Sequence, residues 1–136
     1  MSQPLDLSSF EKAHATLVDV LAVDSTDPVV QILWRDAMIQ RFEYTYEIAC
    51  KMLRRHLESA NHSSANIDEL PFRDLIRVGA EAGLIRSPEK WFQFREMRNI
   101  TSHAYDESKA IRICAIIPEF AEESGALLLS LKERNT

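Results

Sequence analysis

The stretch from Pro28 to Ala60 contains no glycine and no further proline, so no helix-breaking residue interrupts it. Apolar residues recur along one side of it at the spacing of an α-helix, and these are Trp34, Met38, Phe42, Ala49, Leu53 and Leu57. Asp27 is placed to cap the helix, and Pro28 suits its first position because proline lacks the N–H that would be unpaired there. The sequence therefore predicts one long helix around which the rest of the chain must pack.

This long helix also carries apolar residues on its other faces, namely Ile32, Ile39, Tyr44, Ile48 and Met52. The apolar side chains of such a helix must be buried against other parts of the protein on more than one side. Other helices of a bundle can supply the cover, and so can a second copy of the chain. We therefore expect a helical bundle that dimerises.

Further helices are predicted on both sides of the long one. The first runs from Ser8, where Ser8 and Glu11 form a capping-box pattern, to about Val23. Residues 61–66 are polar and predict a loop with an exposed His62. A short helix follows from about Pro71 to Ala82, ended by Gly83 in the left-handed conformation.

The C-terminal third predicts two more helices. Ser87 and Pro88 begin one of them. The last helix begins near Asp106 or Ser108 and continues to about Glu133, and Pro118 should kink or interrupt it. With 136 residues, only 3 glycines and 46% hydrophobic residues, the chain is expected to be a single domain, residues 1–136. The predicted fold is an all-α up-and-down bundle of four to five helices.

Composition and charge limit the classes of function. Cys50 and Cys114 lie in apolar stretches without metal-binding spacing, so free thiols are expected, and neither a targeting segment nor a membrane span is evident. We expect a cytoplasmic protein. The net charge of -5 argues against general coating of nucleic acid. Residues 71–100 reverse this balance with six basic and four acidic side chains, which suits local contact with a short strand.

A cluster of chemically capable side chains lies between residues 95 and 106: Arg95, Arg98, Asn99, Ser102, His103 and Tyr105. Arginine suits phosphate, histidine exchanges a proton near neutral pH, and tyrosine adds a hydroxyl group. An ordinary solvated helix face is the alternative interpretation. However, such a face usually carries lysine and glutamate, whereas these residues suit phosphate and ribose.

Helical geometry constrains this cluster. On a continuous helix His103 would lie about 140° from Arg98, with Tyr105 on the opposite, core-facing side. The two side chains could not then lie side by side. Either the helix ends or bends near Ser102, or the site is completed across a subunit boundary.

The string RNITSHAYDE (residues 98–107) resembles the Arg-polar-x3-His motif of the HEPN family of helical ribonucleases. Its continuation through Tyr105, together with IQRFEYTYE (residues 39–47), is similar to the HepT-type branch encoded beside a minimal nucleotidyltransferase. The likeness extends over most of the chain. One departure is Cys50-Lys51, where relatives commonly have Trp-Lys, and this should affect packing rather than chemistry.

The resemblance implies a toxin that cleaves RNA without a metal ion or other cofactor. His103 would take the proton from a ribose 2'-hydroxyl, and Arg98 would stabilise charge on the phosphate. Arg95, Asn99 and Ser102 would bind substrate. The resemblance also implies a homodimer with facing motifs, and a cognate nucleotidyltransferase antitoxin that blocks activity by attaching AMP to Tyr105. Packing at the edge of the core is the alternative role for Tyr105.

Two other functions remain open on sequence alone. The chain could be a non-catalytic subunit that holds a nucleotide or acceptor for a partner nucleotidyltransferase, or a helical scaffold. Other chemically capable side chains are predicted to be structural. Glu43 and Glu47 would form an ion-pair ladder with Lys51 or contact a second subunit, His14 would be a structural histidine, and His56 would lie on a solvated helix end.

Overall fold

The computed structural model describes residues 4–60 and 66–135, which form five α-helices and no strand. The helices are α1 (Ser8–Leu21), α2 (Pro28–Ala60), α3 (Phe72–Glu81), α4 (Pro88–Asn99) and α5 (Glu107–Arg134). Two single-turn 3-10 helices, Ile67–Glu69 and Thr101–His103, precede α3 and α5. The predicted all-α bundle is confirmed. The loop predicted for residues 61–66, with His62, falls almost wholly outside the described residues.

The bundle is built around α2, which packs against both α1 and α5, and α1 also contacts α5. Helices α3 and α4 close the remaining side. Phe120 of α5 lies at the centre, where the edges or faces of three other buried rings meet it: Phe42 at 4.9 Å, Phe94 at 5.1 Å and Trp91 at 5.9 Å between ring centroids. These near-perpendicular contacts are a favourable arrangement for aromatic rings, so one aromatic cluster joins α2, α4 and α5.

Most helix ends follow the sequence signals. The Asp27 carboxylate accepts a hydrogen bond from Val29 N at 2.9 Å, α4 begins at Pro88, and Gly83 has a φ of 79°. The capping box expected at Ser8 is wrong. Instead, Asp6 Oδ1 accepts from both the backbone N (3.0 Å) and the hydroxyl (2.7 Å) of Ser8. Neither half of the capping box forms, because Glu11 N donates to the Leu7 carbonyl at 2.9 Å and the Glu11 carboxylate pairs with Lys132 at 3.1 Å.

Helix α5 continues through Pro118, so of the two expected effects of this proline, a kink or an interruption, the interruption does not occur. Pro118 lies on the exposed side of the helix. Water can therefore reach the carbonyl that loses its partner. On the opposite side, Ile113, Ile117 and Phe120 are fully buried. Packing of this apolar side holds the helix together across the proline.

The extra apolar residues of α2 divide into two groups. Ile39 and Met52 are buried in the bundle, and the hydroxyl of Tyr44 contacts that of Thr16 in α1. The first turns of α2 differ, because Val29, Val30, Ile32 and Leu33 are exposed. The bundle therefore covers the middle of α2 but not its start.

The two ends of the described chain are tied together. The side-chain amide of Asn135 accepts a hydrogen bond from Leu5 N at 2.8 Å and donates one to Leu5 O at 2.7 Å. This pair of hydrogen bonds fixes the segment before α1 against the end of α5. The two cysteines, Cys50 and Cys114, are free, as predicted, and half-buried.

Candidate functional site

The candidate site occupies a break between two helices. Helix α4 ends at Asn99, a 3-10 turn covers Thr101–His103, and α5 begins at Glu107. The hydroxyl of Thr101 donates to the Arg98 carbonyl at 2.8 Å, and Asp106 caps α5 by accepting from Ser108 N at 3.0 Å. Of the two geometric alternatives, the one in which the helix ends near Ser102 is confirmed.

This break changes where the side chains point. Thr101 is buried and Ala104 is half-buried, so they anchor the segment on the bundle, whereas Ser102 and His103 are exposed. The expectation that Tyr105 lies on the core side is wrong, because its side chain is 87% exposed. The angles of a continuous helix do not apply after Asn99, and Tyr105 turns outward with the 3-10 turn.

His103 and Tyr105 are neighbours on the exposed side of the break. Their ring centroids are 6.1 Å apart and the rings are inclined at 63°. The backbone that carries both rings is fixed, since His103 N donates to the Ile100 carbonyl at 2.9 Å and Asp106 N donates to the His103 carbonyl at 3.0 Å. A group added to the Tyr105 hydroxyl would therefore lie close to the imidazole.

Arg98 is oriented by two carboxylates of α2. Its Nε donates to Glu47 Oε1 at 3.2 Å, its Nη2 also binds that oxygen, and Glu43 Oε1 lies 3.9 Å from Nη2. The hydrogen bond to Glu47 is the main cause that raises the pKa of Arg98 above its usual value. We predicted that Glu43 and Glu47 form ion pairs with Lys51, and this prediction is wrong. The cation that the two carboxylates face is Arg98.

The role of Glu43 and Glu47 was missed because the sequence does not show which helix packs on which. Their spacing of one helical turn was the available signal, since it puts both carboxylates on the same side of α2. Both belong to the string that resembles the nucleotidyltransferase-associated branch. Only the packing of α4 on α2 identifies Arg98 as the cation.

Two open grooves lie beside the break and share Asp36 and Ala104. The first, which we call the α2 groove, has a volume of about 400 Å³ and is lined by Asp36, Ile39, Gln40, Glu43, Glu47 and Ala104. The second, the Tyr105 groove, measures about 300 Å³ and is lined by Ile32, Arg35, Asp36, Ala104, Tyr105 and Glu107. Three carboxylates line the α2 groove, so Arg98 is held at the border of an acidic surface.

The predicted substrate-binding residues divide between two surfaces. Ser102 is exposed on the 3-10 turn, beside His103. Arg95 and Asn99 lie on α4 and line a third groove of about 460 Å³ between α3 and α4. We call this the arginine–phenylalanine groove, and its lining includes Phe72, Arg73, Phe92, Arg95, Glu96 and Asn99. Asn99 connects this groove to the start of the break.

The remaining candidates are structural. His14 Nε2 donates to the Ala121 carbonyl at 3.0 Å, in agreement with the predicted structural role. His56 is buried, so its prediction as part of a solvated helix end is wrong. Within residues 4–60 and 66–135, no cluster of three or more acidic, histidine or cysteine side chains has the arrangement of a metal site. No helix in the same ranges is long and apolar enough to cross a bilayer.

The chain is therefore a small helical bundle whose candidate site lies on the exposed segment between α4 and α5. The chain belongs to the nucleotidyltransferase substrate binding protein like family, whose model matches residues 5–133. A probable ribonuclease HepT of Haemophilus influenzae is 37% identical over 127 residues, covering 93% of this chain and 87% of that protein.

Solved structures support the same family. A Haemophilus influenzae protein, described as having the fold of a substrate binding domain of a nucleotidyltransferase, superimposes with a TM-score of 0.84 at 34% identity. The match covers 93% of this chain and 99% of that one. A protein of Thermus thermophilus superimposes with a TM-score of 0.75 at 31% identity, covering 90% of this chain and 98% of that one. Both identities are high enough to indicate relatedness as well as shared architecture.

Proposed function

We propose that this chain is a HEPN-type toxin that cleaves RNA without a metal ion. The observation that carries the proposal is the break after α4. It exposes the His103 imidazole one 3-10 turn beyond Arg98, whose guanidinium is oriented by Glu47. A proton acceptor and a fixed cation are two groups that accelerate cleavage by a 2'-hydroxyl. The similarity to a probable ribonuclease HepT supports the same reaction.

In the proposed reaction His103 takes the proton of a ribose 2'-hydroxyl, and the 2'-oxygen forms a bond to the adjacent phosphorus. The bond from phosphorus to the 5'-oxygen breaks, that oxygen takes a proton from water, and the protonated His103 then returns its proton to the solvent. The products are a 2',3'-cyclic phosphate and a 5'-hydroxyl end. Arg98 neutralises charge on the phosphoryl oxygens, while Asn99, Ser102 and Arg95 bind the strand. DNA is not cut because it lacks the 2'-hydroxyl group.

The direct test is incubation of purified protein with end-labelled RNA in EDTA. Wild type should cut the RNA, and His103→Ala should lose cleavage by roughly 10²- to 10⁴-fold, the usual contribution of general acid–base catalysis. Arg134→Ala is the control, because Arg134 is exposed at the end of α5 and lines none of the three grooves. Undiminished cleavage by a folded His103→Ala protein would refute the assignment.

We also propose that a cognate minimal nucleotidyltransferase acts as the antitoxin by attaching AMP to Tyr105. The exposed hydroxyl would attack the α-phosphorus of ATP and release pyrophosphate. Support comes from the 87% exposure of Tyr105 and from its position 6.1 Å from the His103 ring. The bulky anion would then occupy the entrance to the histidine.

Mass spectrometry after co-expression with the neighbouring nucleotidyltransferase tests this switch. Wild type should gain the mass of AMP on the Tyr105 peptide and lose cleavage. Tyr105→Phe keeps the ring but lacks the attacking oxygen, so it should stay unmodified and active. If wild type gains no AMP, or gains it elsewhere, Tyr105 is not the switch.

A binding-only subunit is the second candidate function. The family description, and that of the Haemophilus influenzae structure, refer to substrate binding for a nucleotidyltransferase rather than to cleavage. In this alternative the same exposed residues hold a nucleotide or acceptor for the partner enzyme. Nucleotide binding without cuts in the EDTA assay would favour it.

A further inference from the structure

The arginine–phenylalanine groove contains two crossed pairs of side chains. The guanidinium of Arg73 on α3 lies 4.4 Å from the ring centroid of Phe92 on α4. In return, Arg95 on α4 lies 4.7 Å from the ring centroid of Phe72 at the start of α3. Each helix thus supplies one ring and one cation. The arrangement joins α3 and α4 and holds two positive charges at fixed places in the groove wall.

The rings form a firm base for these cations. Phe72 and Phe92 are half-buried and meet edge to face, with centroids 6.4 Å apart. Phe72 also contacts Tyr46 of α2 at 6.2 Å. Arg73 and Arg95, by contrast, are exposed. A guanidinium stacked over a ring loses little further freedom when its N–H groups bind a phosphate, which favours binding.

The charge of this groove differs from that of the rest of the protein. Its two arginines face one carboxylate, Glu96, in a chain whose net charge is -5. Asp74, the acidic neighbour of Arg73, lies 3.7 Å from Arg77 and is paired there. The α2 groove on the other side of Arg98 is acidic. A polyanion reaching Arg98 would therefore be attracted to the α3–α4 side.

We propose that the arginine–phenylalanine groove binds the single-stranded segment next to the cleaved phosphate. Arg73 and Arg95 each contact one phosphate, and bases stack on the outward sides of the two guanidinium groups, which lie over the phenylalanine rings. Proteins use this combination of cations and flat surfaces to hold single strands with little sequence preference. The proposal deepens the proposed function, because in that function the strand is RNA and Asn99 leads it to Arg98 and His103.

Binding is tested with the His103→Ala protein, which should hold RNA without cutting it. A fluorescein-labelled oligouridylate of about twelve nucleotides is titrated in EDTA, with anisotropy as the readout. Adding Arg73→Gln and Arg95→Gln should weaken binding at least tenfold. The slope of log K against log salt should fall in magnitude by about 1.4, which is about 0.7 for each lost phosphate contact on a single strand.

The control removes the same charge elsewhere. Arg55→Gln and Arg134→Gln change two exposed arginines that do not line this groove. This pair should leave the affinity within about twofold. Equal weakening by both double variants would mean that only net charge matters and would overturn the proposal. Unchanged RNA affinity together with lost binding of the nucleotidyltransferase would identify a protein contact and would also overturn it.

Stacking has its own test. Phe92→Leu keeps an apolar side chain but removes the ring, and it should weaken binding of the oligouridylate by about fivefold or more, because base stacking contributes at this level. An abasic strand of equal length should lose less affinity than the oligouridylate on this substitution, because the abasic strand has no bases to stack and loses only the support that Phe92 gives to Arg73. An equal loss of affinity for both strands would mean that the groove binds only phosphates and not bases. That outcome would contradict the proposal.

A cleavage assay distinguishes an error in the proposed RNA-binding groove from an error in the proposed ribonuclease activity. In a protein with His103 intact, the Arg73→Gln/Arg95→Gln pair should raise KM for the twelve-nucleotide RNA about tenfold with kcat nearly unchanged. Cleavage of a dinucleotide, too short to reach the groove, should not change. An unchanged KM in an active enzyme refutes the groove alone. Groove-dependent binding by a wild type that never cuts refutes the ribonuclease alone.

Discussion

At the scale of single residues, Arg98 depends on Glu47. A single oxygen, Glu47 Oε1, accepts from both Nε and Nη2 of Arg98, which fixes the plane of the guanidinium. Arginine has five N–H donors, so other donors remain for a phosphate. Glu47 is therefore a positioning residue in the proposed reaction and does not itself touch the substrate.

Removal of this carboxylate should lower activity without abolishing it. Glu47→Ala is expected to reduce kcat/KM about tenfold, because a small misplacement of a catalytic cation costs up to about 10²-fold. Glu47→Gln retains an oxygen acceptor and should recover most of the loss. Initial rates on labelled RNA measure both. Glu58→Ala, which removes an exposed carboxylate farther along α2, is the control.

A purely structural role for Glu47 predicts a different pattern. In that case Glu47→Ala would lower the melting temperature and the amount of active protein, but kcat/KM per folded molecule would stay constant. Failure of Glu47→Gln to restore activity would also contradict positioning by hydrogen bonds.

At the same scale, the sequence identified the exposed histidine but not its surroundings. Arg98 and His103 are recognisable by residue type and spacing. Glu47, 51 positions before Arg98, is not, because the contact depends on how α4 packs against α2. Tyr105 was misplaced because a helix was extended past its true end.

At the scale of elements, the buried side of α2 gives the stability of the fold a pH dependence. Tyr46 lies inside the aromatic cluster, and burial raises the pKa of its phenol well above the usual range. Burial likewise raises the pKa of the neighbouring Cys50 thiol from 9.0 to about 12. Both groups hold their protons more tightly in the folded protein than in the unfolded chain.

The free energy of unfolding should therefore fall as pH rises above about 9. The unfolded chain releases the Cys50 proton from pH 9.0 upward, while the folded protein retains it to about 12. Between these values the unfolded state binds fewer protons, so alkali favours unfolding. Urea unfolding at pH 8.0 and 10.5 should differ by about 2 kcal/mol from Cys50 alone, at about 1.4 kcal/mol per pH unit, and Tyr46 adds to the difference above pH 10.0.

Substitution of the two groups checks the cause. Tyr46→Phe with Cys50→Ala removes both ionisable groups and should flatten the alkaline slope, even though the smaller side chain at position 50 lowers stability at every pH. A variant whose stability runs parallel to wild type from pH 8 to 10.5 would show that other groups control the slope.

The elements themselves were largely predictable. Helix starts at Pro28 and Pro88 and the left-handed turn at Gly83 follow from local backbone chemistry. The break after Asn99 has no such marker, since no glycine or proline lies between Pro88 and Pro118. It depends on burial of Thr101, which a helical pattern alone does not reveal, whereas the start of the last helix near Asp106 was predicted and is confirmed by the Asp106 cap of α5.

At the scale of the whole molecule, the uncovered start of α2 favours the proposed homodimer. Val29 is 65% exposed and Leu33 62% exposed, with Ile111 of α5 also exposed. Ile32 lines the Tyr105 groove, so a partner that covers the start of α2 would also approach the candidate site. Burial of these side chains would stabilise a second copy.

In the expected homodimer, Leu33→Asp should therefore separate the two copies into monomers and reduce RNA cleavage. A charge in an apolar interface is costly when it has no partner. Light scattering coupled to size-exclusion chromatography measures the mass. Leu129→Asp is a matched control, because Leu129 is an apolar residue with a similar exposure of 58% on α5.

The control variant should remain dimeric. If Leu33→Asp also remains dimeric, the start of α2 is not the interface. If it becomes a fully active monomer, each copy carries a complete site, and the shared cleft implied by the family resemblance is wrong.

The paired hydrogen bonds between Leu5 and Asn135 have a consequence for how the bundle opens. Helix ends usually fray independently, but here the segment before α1 and the last turn of α5 are clamped by one amide. The two ends should therefore exchange their amide hydrogens as one unit. Because Leu5 and Asn135 lie in contact, a short peptide that joined these two positions would close a ring at a small cost in loop entropy.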